Sequence, residues 1–254
     1  MIADCSFVPE RSADPARVLA LVERDGAAVL TGNGPSEADA RAAVAAVLNG
    51  HVLALPEAAA VREGGEKDRN AHGTDDALPL HTDGFAYGDQ ACDYFGLSCV
   101  RQGADGGHSL LVDSYRLLDE IDRGLRAFLL TAPVDHAEPD MRPAVSPLAI
   151  TTAAGRLAVR QVPYVRPAPD APDPARVQAL LDRWNAVVDA QFPVAQRFLL
   201  HAGDVAVIDN YRVLHARDPF TGERFMWRVW AWTDRGNGVP TGMLHSDSRY
   251  ASAP

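Results

Sequence analysis

The chain has 254 residues, 47% of them hydrophobic and 23% charged, with a formal net charge of −10 at pH 7 and a pI near 5.2. That length fits one domain with an elaborated core, and the acidic balance argues against nucleic acid or an anionic membrane as the main partner, because the long-range field repels polyanions. The three cysteines, Cys5, Cys92 and Cys99, lack Cys-x-x-Cys spacing and read as reduced thiols; with no basic-then-apolar leader and no long uninterrupted apolar run, the expectation is a soluble, cytoplasmic protein.

The first seventy residues read as scaffold. Val18, Leu19, Leu21 and Val22 give Pro15–Glu23 helical spacing, and Gly26–Leu30 is a short apolar run expected to be a strand. Ser36, with Asp39 three residues on, predicts an N-cap for a helix reaching about Leu48. His51 opens a second apolar run to Leu55 and is read as a core or strand-end residue rather than a ligand. Gly64–Asn70 is polar and glycine-bearing, a predicted exposed loop.

Chemistry enters at Leu78-Pro79-Leu80-His81-Thr82-Asp83-Gly84. On an extended segment residues i and i+2 share a face, so His81 and Asp83 can reach one ion. A histidine bonded to a turn aspartate is the bland alternative for such a pair. Asp75 and Asp76 lie just upstream, either as contacts for a cationic substrate group or as a solvated loop pair. Phe85 and Tyr87 follow in a glycine-bounded turn, as pocket walls or core anchors.

The middle of the chain is β-rich. Cys92–Val100 and His108–Asp113 read as strands joined by the turn Gln102–Gly107, together a hairpin. Ser114 is expected to cap one helix running to about Leu130, with Leu117, Leu118, Ile121, Leu125, Phe128 and Leu129 at helical spacing. His136 and Asp140 lie in a proline-bearing connection and read as surface residues. A second hairpin is predicted from Leu148–Thr152 and Arg156–Val162, then a helix from about Pro174 to Gln191.

The last third carries two strand-like runs around Gly203-Asp204, then Asp209-Asn210-Tyr211-Arg212-Val213-Leu214-His215. His215 is the candidate third ligand: two histidines and one carboxylate on one face of an octahedron leave three positions open, as in non-heme Fe(II) oxygenases. Arg224–Trp232 is a final strand, with Arg224, Met226, Arg228 and Trp230 on one face. An arginine there suits a bidentate grip on a carboxylate.

In order, His81-Thr82-Asp83, Gly106-Gly107-His108-Ser109-Leu110, Asp209 to His215 and Arg228 resemble the Fe(II)/2-oxoglutarate-dependent dioxygenases of the taurine dioxygenase (TauD/TfdA) superfamily. The pattern Asp-Asn-x-Arg-x-x-His-x-Arg is similar to its clavaminate synthase-like and γ-butyrobetaine hydroxylase-like branches. The resemblance covers roughly Leu78 to Thr233. It implies an α+β protein with a double-stranded β-helix (jelly-roll) core flanked by helices, in a single domain over 1–254. That domain would comprise an N-terminal scaffold (1–77), the core (78–234) and a tail (235–254). It further implies that His81, Asp83 and His215 bind Fe(II). Arg228 would bind the distal carboxylate of 2-oxoglutarate, Ser109 would stand where the family usually has a threonine, and Arg224 would lie near the metal-side carboxylate.

The implied reaction consumes O2 and 2-oxoglutarate, releases succinate and CO2, and oxidises an unactivated C–H bond, most often by hydroxylation. A carboxylate at Asp83 argues against halogenation, which the related halogenases carry out with a small residue there. The expected substrate is a small molecule such as a free amino acid or a specialised-metabolite intermediate. Asp75, Asp76, Phe85, Tyr87, Arg212 and Arg217 are the candidate contacts. Two other classes fit part of the pattern: a zinc hydrolase using the same three ligands, and a catalytically silent jelly-roll binding protein.

Overall fold

The computed structural model describes residues 3–63, 76–137 and 143–247, and the predicted loop Gly64–Asn70, Asp75 and Asp140 lie outside them. Helix α1 spans Pro15–Asp25, where Asp14 accepts from the Ala16 amide, proline fills the first turn and Gly26 at φ 93° closes the C-terminus. Helix α2, Glu37–Val47, begins at the Ser36–Asp39 capping box. The single helix expected from Ser114 is two, α3 (Ser114–Glu120) and α4 (Arg123–Thr131). Asp122 accepts the amides of Gly124 and Leu125, starting a new helix although the apolar spacing runs through. Helix α5 covers Pro174–Asp189.

The strands of the two main sheets, in chain order, are β1 (Glu10–Ser12), β2 (Ala27–Leu30), β3 (Val52–Ala54), β4 (Ala59–Glu63), β5 (Leu78–His81), β6 (Tyr94–Arg101), β7 (Ser109–Asp113), β8 (Arg197–Phe198), β9 (Val205–Asp209), β10 (Val213–Arg217) and β11 (Arg224–Thr233). The large sheet has the order β1-β2-β9-β6-β11-β3, with β4 also on β11; the small sheet has the order β8-β7-β10-β5. The hairpin expected between the Cys92 and His108 runs does not form, because β6 pairs with β9 and β11 while β7 pairs with β8 and β10. The connection between them is tied to Phe220–Thr221 and carries the chain from one sheet to the other. The hairpin of Ala149–Thr151 with Leu157–Val159 forms as predicted.

Period-two alternation assigns each strand residue to a layer. Tyr94, Val205, Val207, Val229 and Ala231 turn outward to pack with α1 and α2. Leu110, Val112, Leu214 and Ala216 turn outward from the small sheet toward α3, α4 and α5. Phe95, Leu111, Ile208, Val213, Met226 and Trp230 meet between the sheets. By the same alternation Ser109, His215 and Arg217 of the small sheet, and Arg224 and Arg228 of the large one, point into that middle layer.

His136 is buried, contrary to the surface reading: its Nε2 lies 3.1 Å from the Ser146 carbonyl, beside a separate three-stranded sheet that Val134–Asp135 makes with Val145–Ser146 and Arg166–Pro167. Pairing between segments distant in sequence covers it, and the nearby prolines gave no sign of that. His51 is bonded to Asp234 at 2.9 Å, a strand-end tie as expected.

Candidate metal centre

β10 and β5 pair in register at His215 and His81, which sets the two imidazoles side by side with ring centroids 4.1 Å apart. His81 Nδ1 lies 2.9 Å from the Pro79 carbonyl. A carbonyl only accepts, so Nδ1 carries the proton and Nε2 keeps its lone pair for a metal. Asp83 follows β5, and Gly84 at φ 81° turns the chain immediately after it. Asp83 Oδ1 lies 3.6 Å from His81 Nε2 and 3.8 Å from His215 Nε2. One ligand atom from each of the three residues lies within 4.8 Å of the others. Two imidazole nitrogens and one carboxylate oxygen converging in this way fit a hard-to-borderline divalent ion, and the set is that of the facial triad.

The rest of the carboxylate is fastened by the protein. Trp230 Nε1 donates to Asp83 Oδ2 at 2.7 Å, leaving Oδ1 to face the two histidines. Asn210 holds the backbone: its Oδ1 accepts the Asp83 amide at 2.9 Å and its Nδ2 donates to the carbonyls of Asp83 and Cys92. Phe95 packs against His215, with ring centroids 4.4 Å apart and the planes tilted by 43°.

Burial would push the Asp83 carboxyl up, but Arg228, the bond to His81 and the charge of His215 together hold it well below the usual carboxylate range. Burial, then His81 and Arg228, push His215 well below its ordinary value against the pull of Asp83. Both effects favour the protonation states a cation needs: an ionised carboxylate and a neutral imidazole.

The two arginines occupy different ends of the site. Arg228 Nη1 is 3.5 Å from Asp83 Oδ2 and its guanidinium lies over the Trp230 ring. Arg224 is buried, with Nε donating to Gln102 Oε1 at 3.0 Å, and both Arg224 and Arg217 stack on Phe220. Ser109 is buried and sits opposite Arg217 across the β7–β10 ladder.

The candidate substrate contacts separate. Tyr87 is buried edge-on to Trp230 and Trp232, beside the triad layer. Asp76 is exposed, and its backbone carbonyl accepts from Arg217 Nη2 at 2.6 Å. Arg212 is bound by Asp113 at 2.7 Å and by the Arg24 carbonyl at 2.9 Å; it ties β7 and β10 to α1 rather than facing a ligand. Asp209 is likewise scaffold, paired with Arg156 at 2.6 Å. Asp75 and the Phe85 side chain lie outside the described residues. Sequence reading missed Trp230 and Asn210 as supports of Asp83, although Trp230 shares a face with Arg228 and Asn210 sits inside the motif.

The family model for taurine catabolism dioxygenase TauD, TfdA family, matches residues 6–230. The chain belongs to this family. It is therefore a dioxygenase of the Fe(II)- and 2-oxoglutarate-dependent kind. Among solved structures it is similar to asparagine oxygenase in complex with Fe(II), 2S,3S-3-hydroxyasparagine and succinate, at 20% identity and TM-score 0.65, covering 87% of this chain and 80% of that one. The non-heme iron oxygenase OrfP, in complex with Fe and α-ketoglutaric acid, is 20% identical with TM-score 0.63, covering 86% and 78%. A mutant of OrfP is in complex with (3S)-hydroxy-L-Arg. PvcB from Pseudomonas aeruginosa is 18% identical with TM-score 0.59, covering 86% and 79%. At these identities the likeness is one of fold. No curated protein matches the chain.

Proposed function

We propose that His81, Asp83 and His215 hold Fe(II), and that the enzyme hydroxylates a C–H bond of a small molecule, with a free amino acid as the favoured class. The observation that carries this reading is the convergence of two imidazole nitrogens on Asp83 Oδ1 while Trp230 occupies Oδ2. The amino-acid class is supported by the hydroxylated asparagine and arginine bound in two structural relatives. When bound, Fe(II) and 2-oxoglutarate supply the oxidising chemistry, with succinate and CO2 as co-products.

The chain's own residues would orient that chemistry. Arg228, 3.5 Å from Asp83, lies at the metal end and suits the metal-side carboxylate of the cosubstrate. Arg224 lies four residues along the same strand, roughly 13 Å by strand rise, and suits the distal carboxylate together with Ser109. This exchanges the roles that the sequence assigns to the two arginines. The middle layer of Phe95, Leu111, Met226 and Trp230 keeps the site dry, which strengthens each charged contact.

We further assign the facing sheets to a double-stranded β-helix of the clavaminate synthase-like or γ-butyrobetaine hydroxylase-like branch. Strands β1–β4 belong to the same large sheet as β11, which supports one domain over 1–254. Three buried free thiols support a reducing, cytoplasmic setting.

Anaerobic titration of the apoprotein with Fe(II) and 2-oxoglutarate tests the proposal. A weak visible charge-transfer band requires the keto acid chelated to iron. It is expected in the wild type, lost in His81→Ala and weakened in Arg228→Ala and Arg224→Ala. A folded, iron-loaded wild type without the band refutes the cosubstrate assignment and reopens the zinc-hydrolase and silent-binder readings. Mass spectrometry of amino-acid mixtures for a gain of one oxygen then tests the substrate class.

A further inference from the structure

The family match ends at Trp230, yet the chain beyond it returns to the site. Strand β11 pairs with β4 as far as Arg228 and with β3 only from Trp232, so its edge has a gap between these pairs. Ser246, which is fully buried, fills that gap: its Oγ accepts the Trp230 amide at 3.0 Å. Its carbonyl accepts from Arg228 Nε, also at 3.0 Å. One residue near the C-terminus thus grips both the side chain that fixes Asp83 Oδ2, through its backbone, and the guanidinium at the metal end.

The neighbouring residues anchor this grip. The His245 amide donates to the Tyr87 hydroxyl at 2.9 Å, and Gln90 Nε2 donates to the Val239 carbonyl at 3.3 Å. Val239 and Leu244 pack against the layer between the sheets. Tyr87 and Gln90 lie in the 3-10 segment Phe85–Gln90, which directly follows Asp83-Gly84. The segment is therefore bonded both to β11 and to the turn after the proposed metal ligand.

We propose that Met243–Asp247 is a structural part of the active site and that Ser246 is a positioning residue, holding Arg228 with its Nη atoms turned toward the cosubstrate carboxylate. This rests on the metal and cosubstrate assignment above. An Arg228 left without the Ser246 carbonyl has several rotamers to choose among, and each bound carboxylate must then select the productive one, which weakens cosubstrate affinity.

The test compares the full chain, a chain ending at Gly242, Ser246→Ala and Ser246→Thr. For each, the dissociation constant of 2-oxoglutarate is read from the charge-transfer band of the Fe(II) form, with its wavelength maximum and the melting temperature. The chain ending at Gly242 lacks the carbonyl outright, whereas Ser246→Ala keeps it but loses the Oγ that seats residue 246 on the Trp230 amide. The truncated chain is expected to bind 2-oxoglutarate about tenfold more weakly and Ser246→Ala about three- to tenfold, each with a displaced band maximum, and Ser246→Thr to bind like the wild type. A folded truncated chain with unchanged affinity overturns the proposal. If that chain does not fold, Ser246→Ala decides: a lowered melting temperature with affinity within twofold of wild type shows a structural role only and also overturns it. Absence of the band in the wild type would instead sink the cosubstrate assignment itself.

Discussion

Replacing Trp230 by phenylalanine removes one N–H and keeps most of the ring. The lost bond is 2.7 Å long and ends on a buried carboxylate oxygen. Hydrogen bonds to charged groups contribute about 1.5–3 kcal/mol, and an outer-shell partner of a metal ligand typically affects metal affinity 10–100-fold. The ring's edge contacts with Tyr87 and Trp232 are retained in kind, so the fold should survive with a modest loss of melting temperature. Without the indole, Oδ2 keeps Arg228 at 3.5 Å among the described residues, and the carboxylate is free to rotate away from the two histidines. Fe(II) should therefore bind about 10–100-fold more weakly in Trp230→Phe. Competition against a chromogenic chelator under anaerobic conditions measures this directly. An Fe(II) affinity within threefold of wild type, in a protein that melts normally, would refute the idea that Trp230 orients Asp83.

Asn210→Ala leaves the Asp83 amide and the carbonyls of Asp83 and Cys92 without their partner. At about 1 kcal/mol or more each, the loss is about 3 kcal/mol, or roughly 6–12 °C in melting temperature; a fall below about 2 °C in a calorimeter would contradict the clamp. Burial, then the nearby Arg160, lowers the His136 pKa to about 3. The folded state thus resists a proton that the unfolded chain accepts at about 6.5, so this contribution is intact above that pH and declines as pH falls toward 3. His136→Gln should flatten the denaturant-measured stability profile below pH 6.5 by up to about 1.4 kcal/mol per pH unit, and an unchanged slope would count against neutral burial. Gly84→Ala forces φ 81° on an L side chain whose Cβ would sit 3.2 Å from the Cys92 amide. It should cost about 1–2 kcal/mol and weaken Fe(II) binding by displacing Asp83, as thermal melts and the same chelator assay would report.

The sequence was most informative where the physics is local. Helical spacing and capping residues located α1, α2 and α5 within a residue or two, and period-two alternation placed Arg224, Arg228 and Trp230 on one face of β11. The His81–Asp83 pair was visible because both ends of the contact lie within three residues. It became less informative where partners are chosen at long range. The β6 and β7 runs sit one turn apart, which favours a hairpin in isolation, yet each strand has two partners elsewhere and the turn is held by Phe220–Thr221. Nothing near Asp122 in the apolar spacing distinguishes one helix from two; only the side-chain cap does. Ser246 carried no signal at all, because a serine in a polar tail becomes significant only when a sheet edge 16 residues away is left unpaired.

The division of labour between the sheets has a consequence for stability. His81, Asp83 and His215 come from β5, the turn after it and β10 of the small sheet, while Trp230, Arg228 and Arg224 come from β11 of the large one. Besides the bonds of Trp230 and Arg228 to Asp83, the packed layer of Phe95, Leu111, Ile208, Val213 and Met226 sets one group against the other. A small-to-large or large-to-small change in that layer shifts one sheet against the other, and interiors packed at crystal density transmit such shifts rather than absorb them. Substitutions such as Leu111→Ala, opposite His215 across the β7–β10 ladder, should therefore weaken metal and cosubstrate binding together. Substitutions on the outer faces, such as Val207→Ala beneath α1 and α2, should lower stability while leaving both affinities near wild type. The site is a property of the inter-sheet packing as much as of the residues that line it.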